Sequence, residues 1–407
     1  MRLERYPYRA RAWWGEAVVA ESDACWCLER EGQPSLLYFP RRDIDLSLFC
    51  LVGPGSLPEG GAAEVWNAES AEGDPVLSIV TAASPELGPL QSHGRFDTDR
   101  ARVEVLDGDL QDGDDHAAKR FPTWGDTTHL VDLLDVRPDG ELSFVGAAHT
   151  DGHRPVVEGS QMLGQAIVAA GRHAPERRVV SATMLFLRAA DAGRPLRFEL
   201  SELSAGRSFI GLGVEVLQEG RRCAAGTMLL DVTGPEIVRH AVAPPGVPGP
   251  TQCVPLDMAV TGRDIRVLDG AYTNDPDVPV GPPTIDCWVR FHRLPDDAPL
   301  HAGLLAQFTG HMPIATALRP HEGIGQSAAH RTLSMGINAI NLSFHRAVRA
   351  DKWMLYHHES TFAGDGMTHA TCRVHDEGGD LLASFSVEAM VRPFPGGVGA
   401  RDERTAM

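Results

Sequence analysis

The sequence is poor in lysine, and its arginines do not balance its acidic residues. Lys119 and Lys352 are its only lysines, and 37 basic residues face 55 acidic ones, so the formal net charge is −18 at pH 7. Such a chain offers no basic stripe that could neutralise the phosphates of a nucleic acid. The same charge disfavours docking on anionic membrane surfaces. The sequence therefore predicts neither a nucleic-acid partner nor a membrane partner.

The sequence also lacks the patterns of secretion, membrane insertion and thiol-bound metals. The N-terminal MRLERYPYRARAWW has no apolar signal-peptide core, and no run of about 18 apolar residues follows it. The seven cysteines are scattered without a Cys-x-x-Cys pair, and Cys25-x-Cys27 is typical of two buried thiols on one strand face. We expect a reduced, cytoplasmic protein.

Motifs for metals, nucleotides and serine nucleophiles are missing as well. The chain has 17 histidines, but the adjacent pair His357-His358 would point to opposite faces of a strand. No Cys/His quartet has the spacing of a zinc finger. No Gly-x-Ser-x-Gly elbow, P-loop or dinucleotide glycine motif occurs. The sequence therefore predicts no metal, no cofactor and no serine-hydrolase site.

What the chain does contain is short strand-like segments followed by a helix-and-strands pattern that occurs twice. The apolar helix SQMLGQAIVAAGRHA precedes several hairpin-spaced strands, and PLHAGLLAQFTGHMPIATAL precedes four more, which is typical of an α+β unit. The predicted organisation is an accessory, mostly-β domain at 1–110, a linker at 111–126, a first half at 127–235, a connector at 236–280, a second half at 281–393 and a disordered tail at 394–407.

Residues about 127 to 393 resemble the acyl-CoA thioesterase II family. The resemblance rests on GSQMLGQAIVAA, FLRAADAGRPLRFELSELSAGRSF, DDAPLHAGLLAQF, ATALRPH, FHRAVRADKWMLYHHES and LLASFSVEAMVR. It implies a double hotdog, in which two antiparallel sheets each wrap around a long helix. Residues about 8 to 108 are similar to a small β domain of unknown function from bacteria and fungi, on VVAES, QPSLLYFPRRDIDLSLF and RFDTDRARVEVLDGD.

The family resemblance implies a thioesterase acting on acyl thioesters of coenzyme A or a carrier protein, and it allows a homo-oligomer. It also implies a water held by Asp on the second helix, Thr on a strand and Gln on the last strand. In this chain Gly310, Ile337 and Val387 occupy those three positions. The polar neighbours His311 and Asn338 are therefore candidate catalytic residues, and the site is predicted to be degenerate.

The start of the first helix offers a second set of candidates. The family's Gly-Gly-Gln reads Glu158-Gly159-Ser160-Gln161 here, and backbone N–H groups at a helix start can receive a thioester carbonyl. We therefore predict substrate binding at Glu158, Gly159 and Ser160, with Gln161 as a catalytic candidate. The positions Gly310, Ile337 and Val387 are expected to line the same pocket.

His149 supports an alternative reaction class. It precedes Glu158-Gly159 at a spacing similar to that of the catalytic His in hotdog dehydratases. A dehydratase, isomerase or cyclase on a polyketide-like acyl chain is therefore the alternative to hydrolysis. A non-catalytic acyl-binding protein is the third hypothesis, because all three expected water-holding groups are missing.

Overall fold

The computed structural model describes residues 2–30, 33–68, 75–106, 118–123, 125–149, 156–273, 275, 278–329 and 332–394. The chain divides into two compact units. Unit 1 contains Met1–Asp126 and Asp257–Gly262, and unit 2 contains Thr127–Leu256 and Arg263–Met407. Apart from Phe394, the tail predicted to be disordered lies outside the described residues.

Unit 1 consists of short strands around an aromatic core. Its strands are β1 (Arg2–Arg5), β2 (Arg9–Trp14), β3 (Ala17–Ser22), β4 (Trp26–Arg30), β5 (Gln33–Pro40), β6 (Phe49–Ser56), β7 (Ala62–Ala68), β8 (Leu77–Ala82), β9 (His93–Phe96), β10 (Arg102–Leu106), β11 (Lys119–Arg120) and β12 (Gly125–Asp126). The first eleven form one sheet of order β1-β4-β5-β9-β8-β7-β6 and another of order β11-β10-β2-β3, and β12 lies in neither. Phe39 and Phe49 both pack against Phe96, because alternate residues of these strands face inward.

Unit 2 holds four helices and one large antiparallel sheet among its described residues. Its elements are α1 (Thr127–Leu134), β13 (Arg137–Pro138), β14 (Ser143–Gly146), α2 (Gly159–His173), β15 (Arg178–Phe186), β16 (Leu196–Ala205), β17 (Phe209–Gln218), β18 (Arg221–Asp231), β19 (Val254–Pro255), β21 (Arg263–Val267), β22 (Thr284–Phe291), α3 (Ala298–Phe308), α4 (Pro313–Leu318), β23 (Leu333–Phe344), β24 (Met354–Gly364), β25 (Met367–Asp376) and β26 (Leu381–Pro393). The strand order is β13-β14-β16-β17-β18-β15-β23-β26-β25-β24-β22-β21-β19.

The two halves share this sheet, whereas the sequence predicted two separate sheets. Strand β15 of the first half pairs with β23 of the second, with Thr183 opposite Asn341. The pairing satisfies backbone groups that an exposed edge strand would leave open. Helix α2 has the 15 residues that the sequence predicted, whereas the single helix predicted for the second half is divided into α3, with 11 residues, and α4, with 6.

The predicted connector at 236–280 carries strands rather than irregular chain alone. Strand β21 pairs with β22, with Ile265 opposite Val289, and extends the sheet of unit 2. Strand β20 (Val260–Thr261) belongs to unit 1 and pairs in parallel with β12. Lys119, one of the two lysines, is buried in unit 1 and donates from Nζ to the carbonyl of Val260 at 2.7 Å.

Helices α2 and α3 pack closely through glycines. A Cβ at Gly164 would lie 2.7 Å from the carbonyl oxygen of Gly303, and a Cβ at Gly303 would lie 2.8 Å from Val168 Cγ2. Gly171, near the end of α2, faces Pro299 at the start of α3. The helices are therefore antiparallel, and the start of α2 meets the end of α3. No helix in the described part of the chain is both long and apolar enough to span a membrane.

Candidate functional site at the helix junction

The start of α2 is held in place by close packing. Glu158 caps the helix with extended backbone dihedrals (φ −63°, ψ 139°) and an exposed side chain. A Cβ at Gly159 would lie 3.0 Å from the Phe186 ring, so the helix begins directly against β15. Ser160 and Gln161 are buried. The predicted substrate-binding segment is thus a fixed helix start with two buried polar side chains.

The end of α3 meets this segment at Gly310. A Cβ added to Gly310 would lie 2.6 Å from Ser160 Oγ and 3.1 Å from Ile337 Cδ1. The structure therefore brings Ser160, Gly310 and Ile337 together, while their predicted role in substrate binding stays a prediction. It also fills the space that a side chain at position 310 would need. We call this region, formed by Gly159–Gln161, Gln307–His311 and Ile337, the helix junction.

Asn338 does not join the helix junction. A β-bulge in β23 lies between Ile337 and Ala339, and Asn338 is the residue without a partner in β26. Its side chain is exposed, because the extra residue of a bulge leaves the regular in-and-out alternation. Val387 is buried within the sheet, opposite Ile340 and Ala370. Neither position supplies a polar group to the junction.

His311 is half-buried beside Gln307 and Phe308. Its Nε2 lies 3.3 Å from Gln307 Nε2, and its ring meets the Phe308 ring edge-on at 4.9 Å. Burial, and secondarily the charge of Arg263, lower the pKa of His311 to about 3. The imidazole is therefore neutral near pH 7, and in the tautomer protonated on Nδ1 its Nε2 accepts a hydrogen bond from the Gln307 amide. A histidine in this state is a weak proton acceptor.

Gln161 belongs to a buried pair of amides on α2. Gln165 Nε2 donates to the carbonyls of Leu133 at 2.8 Å and Ala147 at 2.7 Å. Gln161 Nε2 lies 3.5 Å from both the Ala147 carbonyl and Gln165 Oε1. These two distances are at the outer limit of hydrogen bonding, so Gln161 is held less firmly than Gln165.

His149 lies apart from these groups along the chain. It follows β14, and its side chain is exposed. Residues 150–155, between it and α2, lie outside the described residues. The described residues thus do not place His149 at the helix junction, and the spacing remains its support as a catalytic residue.

Tyr272 and Gln326 lie beside Glu158, although no sequence motif marks either residue. Burial raises the pKa of Tyr272 to about 12; the charge of Glu158 acts in the same direction, and a hydrogen bond with the Gln326 side chain opposes it. The Tyr272 hydroxyl is therefore a neutral hydrogen-bonding group near the start of α2. Tyr272 falls in the segment predicted as a connector, where no pattern singled it out.

The conspicuous Arg-Ala-Asp-Lys-Trp stretch is a fastened turn. The N–H of Ala350 donates to His301 Nδ1 at 3.0 Å, and the N–H of Phe291 donates to the Ala350 carbonyl at 2.9 Å. Arg349 forms two 2.9 Å hydrogen bonds with Asp351. The bond from Arg349 lowers the pKa of Asp351, which keeps the pair charged. The turn therefore ties the strand ends to α3 and contributes no group to the helix junction.

The fold of residues 127–393 is a double hotdog, preceded by a β domain. A solved structure of a protein of unknown function with a hot dog fold, from Alicyclobacillus acidocaldarius, is similar with a TM-score of 0.53 and 17% identity, covering 65% of this chain and 98% of that chain. The acyl-CoA thioesterase II TesB2 of Mycobacterium marinum gives a TM-score of 0.56 at 24% identity, covering 66% and 99% of the two chains.

The sequence comparisons identify the family. The N-terminal domain of acyl-CoA thioesterases matches residues 149–230, and their C-terminal domain matches residues 240–391. Together the matches span more than half of the chain, which belongs to the acyl-CoA thioesterase family, as the sequence predicted. Acyl-coenzyme A thioesterase 8 of Mus musculus is 26% identical over 322 residues, which is 70% of this chain and 96% of the relative. Residues 1–126 lie outside both family matches.

Proposed function

We propose that this protein binds acyl thioesters of coenzyme A at the helix junction and hydrolyses them. The observation that carries the proposal is the convergence of Ser160, Gly310 and Ile337, from two helices and a strand, in a member of this family. Coenzyme A is the favoured carrier because the mouse relative is named as a coenzyme A thioesterase. An acyl chain on a carrier protein presents the same thioester and is the alternative substrate.

The chemistry starts at α2. The free N–H groups of a helix start carry partial positive charge and can stabilise the oxyanion that forms when water attacks a thioester carbonyl. Gln161 lies in the first turn with a weakly held amide, so it can add a hydrogen bond to the same carbonyl. The apolar or absent side chains at Gly310, Ile337 and Val387 cannot hold the water. Other groups must therefore position it.

Non-catalytic acyl binding is the second candidate. Its specific support is the space beside Gly310, which Ser160 Oγ and Ile337 Cδ1 fill, so that the junction has no room for the family's carboxylate. Dehydration, isomerisation or cyclisation with His149 rests on sequence spacing alone, and the exposed His149 adds no support. A homo-oligomer and a cytoplasmic location stay predictions, and light scattering and cell fractionation test them.

A mass-spectrometric panel of acyl-coenzyme A and acyl-carrier-protein substrates tests the proposal. We expect free acid and free thiol from the wild type and a strong loss of both in Gln161→Leu. The matched control is Gln252→Leu, the same change at an exposed glutamine of unit 2. Loss of water mass that disappears in His149→Ala would favour the dehydratase instead. Binding without turnover across the panel would leave the acyl-binding protein.

A further inference from the structure

Gln307 is a buried polar residue on the side of α3 that faces α2. It lies one helical turn after Gly303 and one turn before Gly310, and both of these glycines contact α2. The contact of Gly303 is Gly164, and the contact of Gly310 is Ser160. Gln307 therefore lies between the two contacts, and its side chain is only 3% exposed.

The amide of Gln307 is only half satisfied. Its Nε2 lies 3.3 Å from His311 Nε2, while its Oε1 is buried and has no hydrogen-bond partner among the residues that the structure describes. In the neutral tautomer that carries its proton on Nδ1, His311 Nε2 accepts from the amide N–H of Gln307, and Oε1 lies on the other side of the amide. Reversing the amide would leave the NH2 group unmet instead. A buried amide of this kind calls for a further hydrogen-bonding partner.

We propose that Gln307 Oε1 accepts a hydrogen bond from the water that attacks the thioester carbonyl. This role rests on the proposed hydrolysis and takes over from the side chain that is absent at Gly310. The side chain of glutamine is longer than that of aspartate. Gln307, one turn before Gly310 on α3, can therefore reach the space near position 310 where the family places its aspartate. Since Ser160 and Ile337 close the space at position 310, the polar group has to come from elsewhere on this face.

The step balances without any further reactant. The water oxygen bonds to the carbonyl carbon, and the carbon–sulfur bond breaks. One water proton ends on the leaving sulfur, which gives a free acid and a free thiol. Gln307 stays neutral throughout, because an amide holds the water but does not take its proton.

Three variants test this role. Gln307→Met keeps the length and removes the hydrogen bond, and we expect kcat for acyl-coenzyme A to fall about 100-fold with KM unchanged. Gln307→Glu keeps an acceptor, and we expect its kcat to be at least about ten times that of the Met variant. Thr316→Val is the matched control: Thr316 is buried on α4, outside the helix junction, and its hydroxyl already donates to the Met312 carbonyl at 2.9 Å, so kcat should not change.

The measurement is the release of free thiol from acyl-coenzyme A, with a thermal unfolding scan of each variant. Equal kcat values for wild type and Gln307→Met would overturn the role of Gln307 and leave the hydrolysis standing. Equal losses in the Met and Glu variants would also overturn it, because they would mean a structural role only. A wild type that releases no thiol would overturn the proposed hydrolysis together with this inference. If Gln307→Met does not fold, the test is the kcat of Gln307→Glu relative to wild type. A fall of no more than about tenfold supports the role of Gln307, and a larger fall overturns it.

Discussion

A side chain at position 310 should destabilise unit 2 by colliding with α2. In Gly310→Ala the new Cβ would lie 2.6 Å from Ser160 Oγ, 3.0 Å from Ser160 Cβ and 3.1 Å from Ile337 Cδ1. Both contacts at Ser160 involve a short side chain fixed to a buried helix, so the helices must move apart. Overpacking of this kind costs about 1–3 kcal/mol. Replacing glycine also lowers the conformational entropy of the unfolded chain, which stabilises the folded state by about 0.4–1 kcal/mol.

Taken from the middle of each range, the net loss of stability for Gly310→Ala is therefore about 1.3 kcal/mol. For a unit of this size each kcal/mol shifts the melting temperature by about 2–4 °C, so a thermal scan should resolve the change. Gly336→Ala is the control, because it makes the same substitution in β23, beside Ile337, where a Cβ would meet nothing within 4 Å. We expect Gly336→Ala to melt at the wild-type temperature or above.

The double variant Ser160→Gly/Gly310→Ala gives the sharper test. Ser160→Gly removes both close contacts on α2, so Gly310→Ala should cost less in that background than in the wild type. The coupling between two residues in contact is expected at about 0.5–3 kcal/mol. If Gly310→Ala leaves the melting temperature unchanged, or if the two substitutions are additive, the described packing of the helix junction is wrong.

Two further predictions concern buried histidines. Burial lowers the pKa of His358 to about 4 from its ordinary 6.5, so the unfolded chain binds a proton that the folded chain refuses. Stability should therefore fall by up to roughly 3 kcal/mol as the pH drops from about 6.5 to 4; His358→Phe should flatten the melting temperature against pH, and an unchanged slope would contradict this. In His301→Ala the buried Ala350 N–H loses its acceptor, and denaturation should show a loss of about 1–3 kcal/mol. His301→Asn, which retains an acceptor, should lose less than His301→Ala.

The sequence carried most of the information on the fold of unit 2. The apolar segment predicted as a helix from Ser160 to Ala174 agrees closely with α2 at Gly159–His173. The spacing of apolar residues in the helix and in the strands that follow it is a local pattern, so it can be recognised in the sequence itself. The family resemblance then ordered these elements, and the comparisons confirmed the double hotdog.

The joined sheet and the β-bulge could not be read in the same way. The pairing of Thr183 with Asn341 depends on two strands far apart in the chain, and nothing in either strand marks it as the inner edge of its half. The bulge that exposes Asn338 depends on the register between β23 and β26. Both features depend on which strands pair in the folded protein, and local sequence patterns do not contain that information.

For the candidate site, the sequence could predict the type of side chain at each position but not its contacts. That Gly310, Ile337 and Val387 lack polar groups follows from the sequence and the family pattern. The unmet amide of Gln307 and the position of Tyr272 beside Glu158 depend on which side chains meet across the two halves. A residue's hydrogen-bond partners are a property of the packed structure, so these two candidates could be found only there.

The contact between Ser160 and Gly310 determines how the predicted loss of the family's carboxylate can be tested. A side chain on α2 fills the space beside a position on α3 that has none, so the pair keeps the packed volume of the junction. It follows that Gly310→Asp alone would measure a collision and not the chemistry of a carboxylate. The carboxylate can be tested only after Ser160→Gly has made room for it, and a gain in hydrolysis in that background would show that this scaffold still supports the family's reaction.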